Sequence, residues 1–162
     1  MSRLDSFIRR LEAQRDCLSQ AARLIAEVPG PVLELGLGNG RTYDHLRALL
    51  SGRAIFVFDR QIAAHPNCVP DEAHMILGDI RDTLPRARDR VGAAAALAHC
   101  DMGTGDEALN ATLAAFMAEY LPQMMARGGI VVSDQEIAMR GSELLPPPFG
   151  VKVGRYFIRR LN

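Results

Sequence analysis

The chain has 162 residues, no formal net charge, 48% hydrophobic and 23% charged residues, which gives room for one domain with a proper core and the composition of a soluble globular protein. Balanced charge excludes bulk electrostatic attraction to nucleic acid or an anionic membrane. No apolar run approaches the ~18 residues of a membrane span, and "MSRLDSFIRRLEAQRD" is too charged for a secretory signal. Cys17, Cys68 and Cys100 are widely spaced and form no CxxC, which suits reduced thiols and a cytoplasmic setting. A lone lysine, Lys152, amid abundant alanine suits a GC-rich bacterial genome.

In chain order, Leu4, Phe7, Ile8, Leu11, Leu18, Ala21, Ala22 and Ile25 recur at the spacing of one helix face. Ser2 with Asp5 reads as its capping box, and Pro29-Gly30 as its stop. Short apolar runs follow at Val32–Leu35, Ala54–Phe58, Met75–Leu77, Ala94–Cys100 and Ile130–Ser133, as a sheet buried on both faces requires. Helices are predicted between them at Thr42–Leu50, Thr83–Val91 and Asp106–Met125. After Asp134 the pattern predicts a short helix over Glu136–Leu145, a stiff loop at Pro146-Pro147-Pro148 and one last strand, Arg155–Ile158. The alternation predicts an α/β fold: one domain, 1–162, with a doubly wound, mostly parallel sheet, helices on both faces and the helix of residues 1–29 packed against it. Ligands in such sheets sit beyond the carboxyl ends of the strands.

The first strand runs into "LELGLGNGRTYD". Gly36, Gly38 and Gly40 permit positive φ and close approach of backbone N–H groups to a ligand beside a helix N-terminus. Glu34 would repel a pyrophosphate, and the third glycine comes one residue too early for the dinucleotide fingerprint. A cationic or amine-bearing ligand fits better. Asp59 ends the second strand, where a carboxylate can accept from a ribose diol. Asp79, in "LGDI", ends the third and can accept from an exocyclic amine. Together the acids trace a nucleoside with a positively charged tail, although each aspartate alone could simply cap the following turn.

"ELGLGNG", "VFD", "GDI" and "ARGGIVVSD", in this order from about Pro31 to Asp134, resemble the cofactor motifs of the class I, Rossmann-like S-adenosylmethionine-dependent methyltransferases. The resemblance implies that the Gly36–Gly40 loop faces the methionine part and that Glu34 supports its ammonium. It also implies that Asp59 binds the ribose, Arg60 lies near the adenine, and Asp79 with the Ile80 amide reads the adenine edge.

Asp101, at the tip of the fourth strand, is the candidate base on the substrate side, with His99 on the same strand as a second. Either could instead be structural, Asp101 as a turn former and His99 as a core residue. Tyr43 and Asp44 could line the methyl pocket. Catechol-type O-methyltransferases hold a divalent cation with an aspartate after strand four and an Asp-Asn pair after strand five. Here Asp134 is followed by Gln135, whose extra methylene moves the carbonyl. No metal ligand is therefore assigned, magnesium being the ion such oxygens would suit. "RDTLPRARDR" reads as a solvated mixed-charge helix face with no interleaved aromatic residues to stack bases.

The family usually carries two strands after the fifth, and only one is predicted here. With no lid to wall off the acceptor, a homodimer is expected. The reading is a compact methyltransferase with an unidentified, small-molecule acceptor. A non-catalytic module that binds S-adenosylmethionine or S-adenosylhomocysteine remains an alternative, because both need the same motifs. A nicotinamide-dependent dehydrogenase is a weaker one.

Overall fold

The computed structural model describes residues 2–162. Helix α1, Arg3–Leu24, opens on the expected capping box: the Ser2 hydroxyl accepts from the Asp5 amide, and Asp5 accepts from the Ser2 amide at 3.0 Å. Its C-terminus is tied down by Arg53, whose guanidinium donates to the carbonyls of Ile25, Val28 and Gly30 at 2.7–2.9 Å. Those bonds pin the turn that leads from the helix into the first strand.

The strands β1 Val32–Leu35, β2 Ile55–Asp59, β3 Met75–Leu77, β4 Ala95–Cys100, β5 Met125–Ser133, β6 Ser142–Leu145 and β7 Phe157–Leu161 form one sheet, ordered β3-β2-β1-β4-β5-β7-β6. The first five pair in parallel, and β7 pairs antiparallel with both β5 and β6. The helices between them are α2 Arg41–Leu49, α3 Ile80–Thr83, α4 Arg88–Val91 and α5 Glu107–Tyr120. Alternate residues along each strand feed two cores. Val32, Val57, Leu97 and Ile130 meet Cys17, Leu18 and Ala21 of α1 and Ile25 at its C-cap. Leu33, Leu35, Phe58, Ala98 and Val131 meet the face that holds Leu84, Met117 and Leu121. The α/β class, the mostly parallel sheet and the packed N-terminal helix are therefore as expected.

Three expectations need correction. Residues 83–91 do not form one helix: a 3₁₀ turn at Leu84–Arg86 separates α3 from α4, because Pro85 lacks the N–H that a continuous helix needs. The predicted helix over Glu136–Leu145 is absent. Gly141 takes φ +68°, and Ser142–Leu145 becomes β6, paired with Ile158–Leu161. The C-terminal region thus carries both strands of an antiparallel hairpin, with β6 at the sheet edge, and the last one begins at Phe157, after a turn at Gly154 with φ +79°. The order of the parallel strands reverses between β1 and β4, which places a crevice at their carboxyl ends.

Candidate cofactor and methyl-transfer site

The glycine loop leaves β1 and crosses that crevice. Gly36 has φ +98°, and a Cβ there would meet the Asp101 carbonyl oxygen at 2.9 Å and Met102 Cγ at 3.0 Å. It is glycine because the loop packs against the tip of β4. Gly38, at φ +53°, has nothing within 4 Å of an added Cβ. Its bare backbone faces open space, as close approach by a ligand requires. Gly40 caps α2 and packs on Cys68.

Asp59 reaches across from β2 and holds the loop, its Oδ2 accepting from the amides of Leu37 at 2.8 Å and Gly38 at 3.1 Å. Asp79 caps α3 through the Arg81 amide at 2.9 Å, and its second oxygen accepts from Arg60 at 3.0 Å. The Arg81 amide and the two nearby guanidiniums hold the Asp79 carboxyl below the ordinary carboxylate range, against a smaller opposing effect of burial. Asp59, Arg60, Asp79 and Ile80 line a cavity of about 280 Å³ that reaches Gly36, Gly38 and Asp101. Its apolar wall comes from Met102, Leu109 and Leu113, which sequence reasoning missed because they follow no motif.

A smaller cavity of about 120 Å³ lies on the other side of the loop, under α1, lined by Phe7, Arg10, Gln14, Asn39 and Arg41. Gly36, Gly38 and Asp101 belong to both cavities, so the two meet there. At the junction Asp101 Oδ1 accepts from Arg10 Nη2 at 2.7 Å, and Oδ2 accepts from Gln14 Nε2 at 2.7 Å. Gln14 also bonds the Tyr156 hydroxyl at 2.8 Å. Arg10 and Gln14 stand one helical turn apart in the otherwise apolar stripe of α1, the one signal that could have flagged them. Asp134 lies beside Asp101 and accepts from the Gly103 amide at 3.0 Å. Burial and the Asp101 charge push its carboxyl above the ordinary range. The same influences push the Tyr156 phenol up. Burial pushes the Cys17 thiol up to about 12, which leaves it no thiolate for nucleophilic chemistry.

Glu34 and His99 do not open on either cavity. They are register partners on β1 and β4, both fully buried on the α1 side of the sheet. Glu34 accepts from the Thr42 hydroxyl and pairs with His99 Nδ1 at 2.8 Å. Burial disfavours a charged imidazole, but Glu34, with Asp101 and Asp134, outweighs it and raises His99 above its ordinary value. Neither side chain lines either cavity, so the structure does not bring Glu34, expected to support an ammonium, or His99, expected as a base, to the residues that do. Tyr43 is likewise in the α1-side core. Asp44 is exposed and pairs with Arg47.

The S-adenosyl-L-methionine methyltransferase family model matches residues 1–161. The crystal structure of an S-adenosyl-L-methionine methyl transferase from Silicibacter pomeroyi DSS-3 is 48% identical, with a TM-score of 0.93, over 100% of this chain and 99% of that one. More distantly, the rRNA methyltransferase aviRa from Streptomyces viridochromogenes superposes with a TM-score of 0.57 at 14% identity, over 89% of this chain and 83% of that one. An O-methyltransferase family protein from Burkholderia thailandensis gives the same TM-score and identity over 96% and 57%. These two share the fold alone. No curated protein matches the chain. A β1 tip cleared for close approach, acids at the β2 and β3 tips and a match along nearly the whole length agree: the chain belongs to the S-adenosyl-L-methionine methyltransferase family.

Proposed function

We propose that this methyltransferase acts on a small-molecule acceptor that meets the methyl group at the Gly36–Asp101 junction, and that it does so without a protein base. The meeting of the two cavities at Gly36, Gly38 and Asp101 supports this reading. The larger cavity suits the adenosine half: Asp59 for the ribose, Asp79 and the Ile80 amide for the adenine edge, Arg60 over its rim. The smaller one, under α1, is tight for anything but a small group. When bound, S-adenosylmethionine supplies a methyl whose bond to sulfur breaks as the bond to the acceptor forms, leaving S-adenosylhomocysteine. The protein contributes alignment of the two reactants, which can supply ~7–11 kcal/mol of the barrier.

The state of the titratable groups narrows the acceptor. Asp101 has both oxygens engaged by Arg10 and Gln14. Asp134 Oδ2 accepts from the Gly103 amide and from Gln135, burial keeps the Tyr156 phenol protonated, and His99 is sealed against Glu34. None is poised to remove a proton, so the reading favours nucleophiles that react without base assistance, such as amines, thiolates or carboxylates. A bacterial, cytoplasmic setting remains part of the proposal. Among the described residues no helix is long and apolar enough to cross a membrane. A dimer would cover exposed apolar residues such as Phe7, which borders the cavity under α1.

The test is release of S-adenosylhomocysteine from S-adenosylmethionine against panels of small amines, thiols, carboxylates and phenols, with and without EDTA, and against RNA. Turnover with a small acceptor that needs no general base, unaffected by EDTA, is the expected result. Turnover with RNA alone would overturn it.

A further inference from the structure

With Glu34 sealed, the cofactor's amino-acid head group needs other partners. We infer that Arg10 and Asp101 form a preassembled ion pair that reads this head group, its carboxylate on Arg10 and its ammonium on Asp101, so that helix α1 sets selectivity for amino-acid-bearing nucleosides. This rests on the cofactor belonging to the two joined cavities. Beyond Asp59 and Asp79, the space along the glycine loop continues to Asp101, which borders both cavities, and to Arg10, which borders the second.

Both partners retain the capacity to bind the head group without letting go of each other. Among the described residues Arg10 uses only Nη2, toward Asp101, whereas a guanidinium carries five N–H donors. Each Asp101 oxygen accepts one bond, and a carboxylate offers about four lone-pair sites. A zwitterion laid alongside the pair meets its opposite charge at both ends. The first turn of α2, with Arg41 in the same cavity wall, adds positive potential on the carboxylate side. Asp134 adds negative potential on the ammonium side.

The pair is also held in place before any ligand arrives. Gln14 is 6% exposed and fixes Asp101 while it bonds Tyr156, itself 3% exposed. A site whose groups are already ordered loses less freedom on binding. The alternative is a latch that merely seats α1 on the sheet. That would affect stability but would not distinguish ligands by their tails.

The experiment is calorimetric titration of the full chain with S-adenosylhomocysteine and with 5′-deoxy-5′-methylthioadenosine, which shares the nucleoside and lacks the amino acid. Wild type is expected to favour the former by roughly ten- to hundredfold, the size of one or two charged hydrogen bonds. Arg10→Gln and Asp101→Asn are each expected to weaken S-adenosylhomocysteine by about tenfold while leaving methylthioadenosine within about twofold, and Arg10→Lys to recover most of the loss. Methylthioadenosine affinity reports in the same titration that each variant still folds. Where Arg10→Gln loses both ligands, the discrimination kept by Arg10→Lys and lost by Asp101→Asn decides. Discrimination at the wild-type ratio in both Arg10→Gln and Asp101→Asn, or tighter S-adenosylhomocysteine binding in Arg10→Gln, would overturn the inference. Folded wild type that binds neither ligand would instead overturn the cofactor placement on which it rests.

Discussion

Four acids crowd the carboxyl ends of β1 to β4, and they divide into two pairs. Asp59 and Asp79 sit at the open side of the crevice, where each keeps access to the larger cavity while holding backbone amides. Glu34 and Asp101 lie on the side covered by α1 and are occupied, Glu34 by Thr42 and His99, Asp101 by Arg10 and Gln14. The same residue type at equivalent places therefore does different work. The cover decides it: Glu34 is fully buried and serves the fold, whereas Asp101, at the edge of the cover, still borders ligand space.

Breaking the buried pair should have the largest effect. Glu34→Gln leaves His99 without its counter-charge in the core, and the loss of a buried ion-pair partner costs about 3–5 kcal/mol, read as a lowered denaturant midpoint. The pair also carries a pH signature. Because the folded protein raises the His99 pKa, the stabilisation is complete below about pH 6.5 and declines as pH rises through the higher folded value. Wild-type melting temperature should fall over that window, and the Glu34→Gln profile should be flatter. Parallel profiles would show that His99 is neutral in the fold.

Within the glycine loop, Gly36→Ala adds a Cβ that meets the Asp101 carbonyl at a strained φ, for an expected loss of about 1–3 kcal/mol. Gly38→Ala meets no neighbour and should cost only the left-handed strain of about 1–2 kcal/mol, with a disproportionate loss of S-adenosylhomocysteine affinity because the methyl fills ligand space. A variant that binds normally would place the ligand elsewhere. Smallest is Arg60→Ala: the guanidinium is 70% exposed, and its pair with Asp79 should contribute no more than about 1 kcal/mol to stability.

The open pair was legible in the sequence because strand tips, glycines and following helices are local, contiguous patterns. Asp59 and Asp79 line the expected cavity for that reason. The covered pair was not. Glu34 and His99 stand 65 residues apart, and only the β1–β4 register makes them neighbours. Arg10 and Asp101 stand 91 apart, joined by the way α1 packs. The missed strand β6 has a related cause. Glu143, Leu144 and Leu145 are residues a helix accepts readily, but the turn at Gly141 and pairing with β7 outweigh that preference. Local propensity lost to tertiary contact in each case.

The central claim is that the open acids and the bare loop hold the cofactor, and the most direct measurement is calorimetric titration of S-adenosylhomocysteine into wild type and Asp59→Ala. The account predicts saturable binding of one equivalent by wild type and a loss of at least about tenfold in the variant, which gives up a charged acceptor and the tether of the Leu37 and Gly38 amides. Equal binding by both proteins, or none by folded wild type, would contradict it.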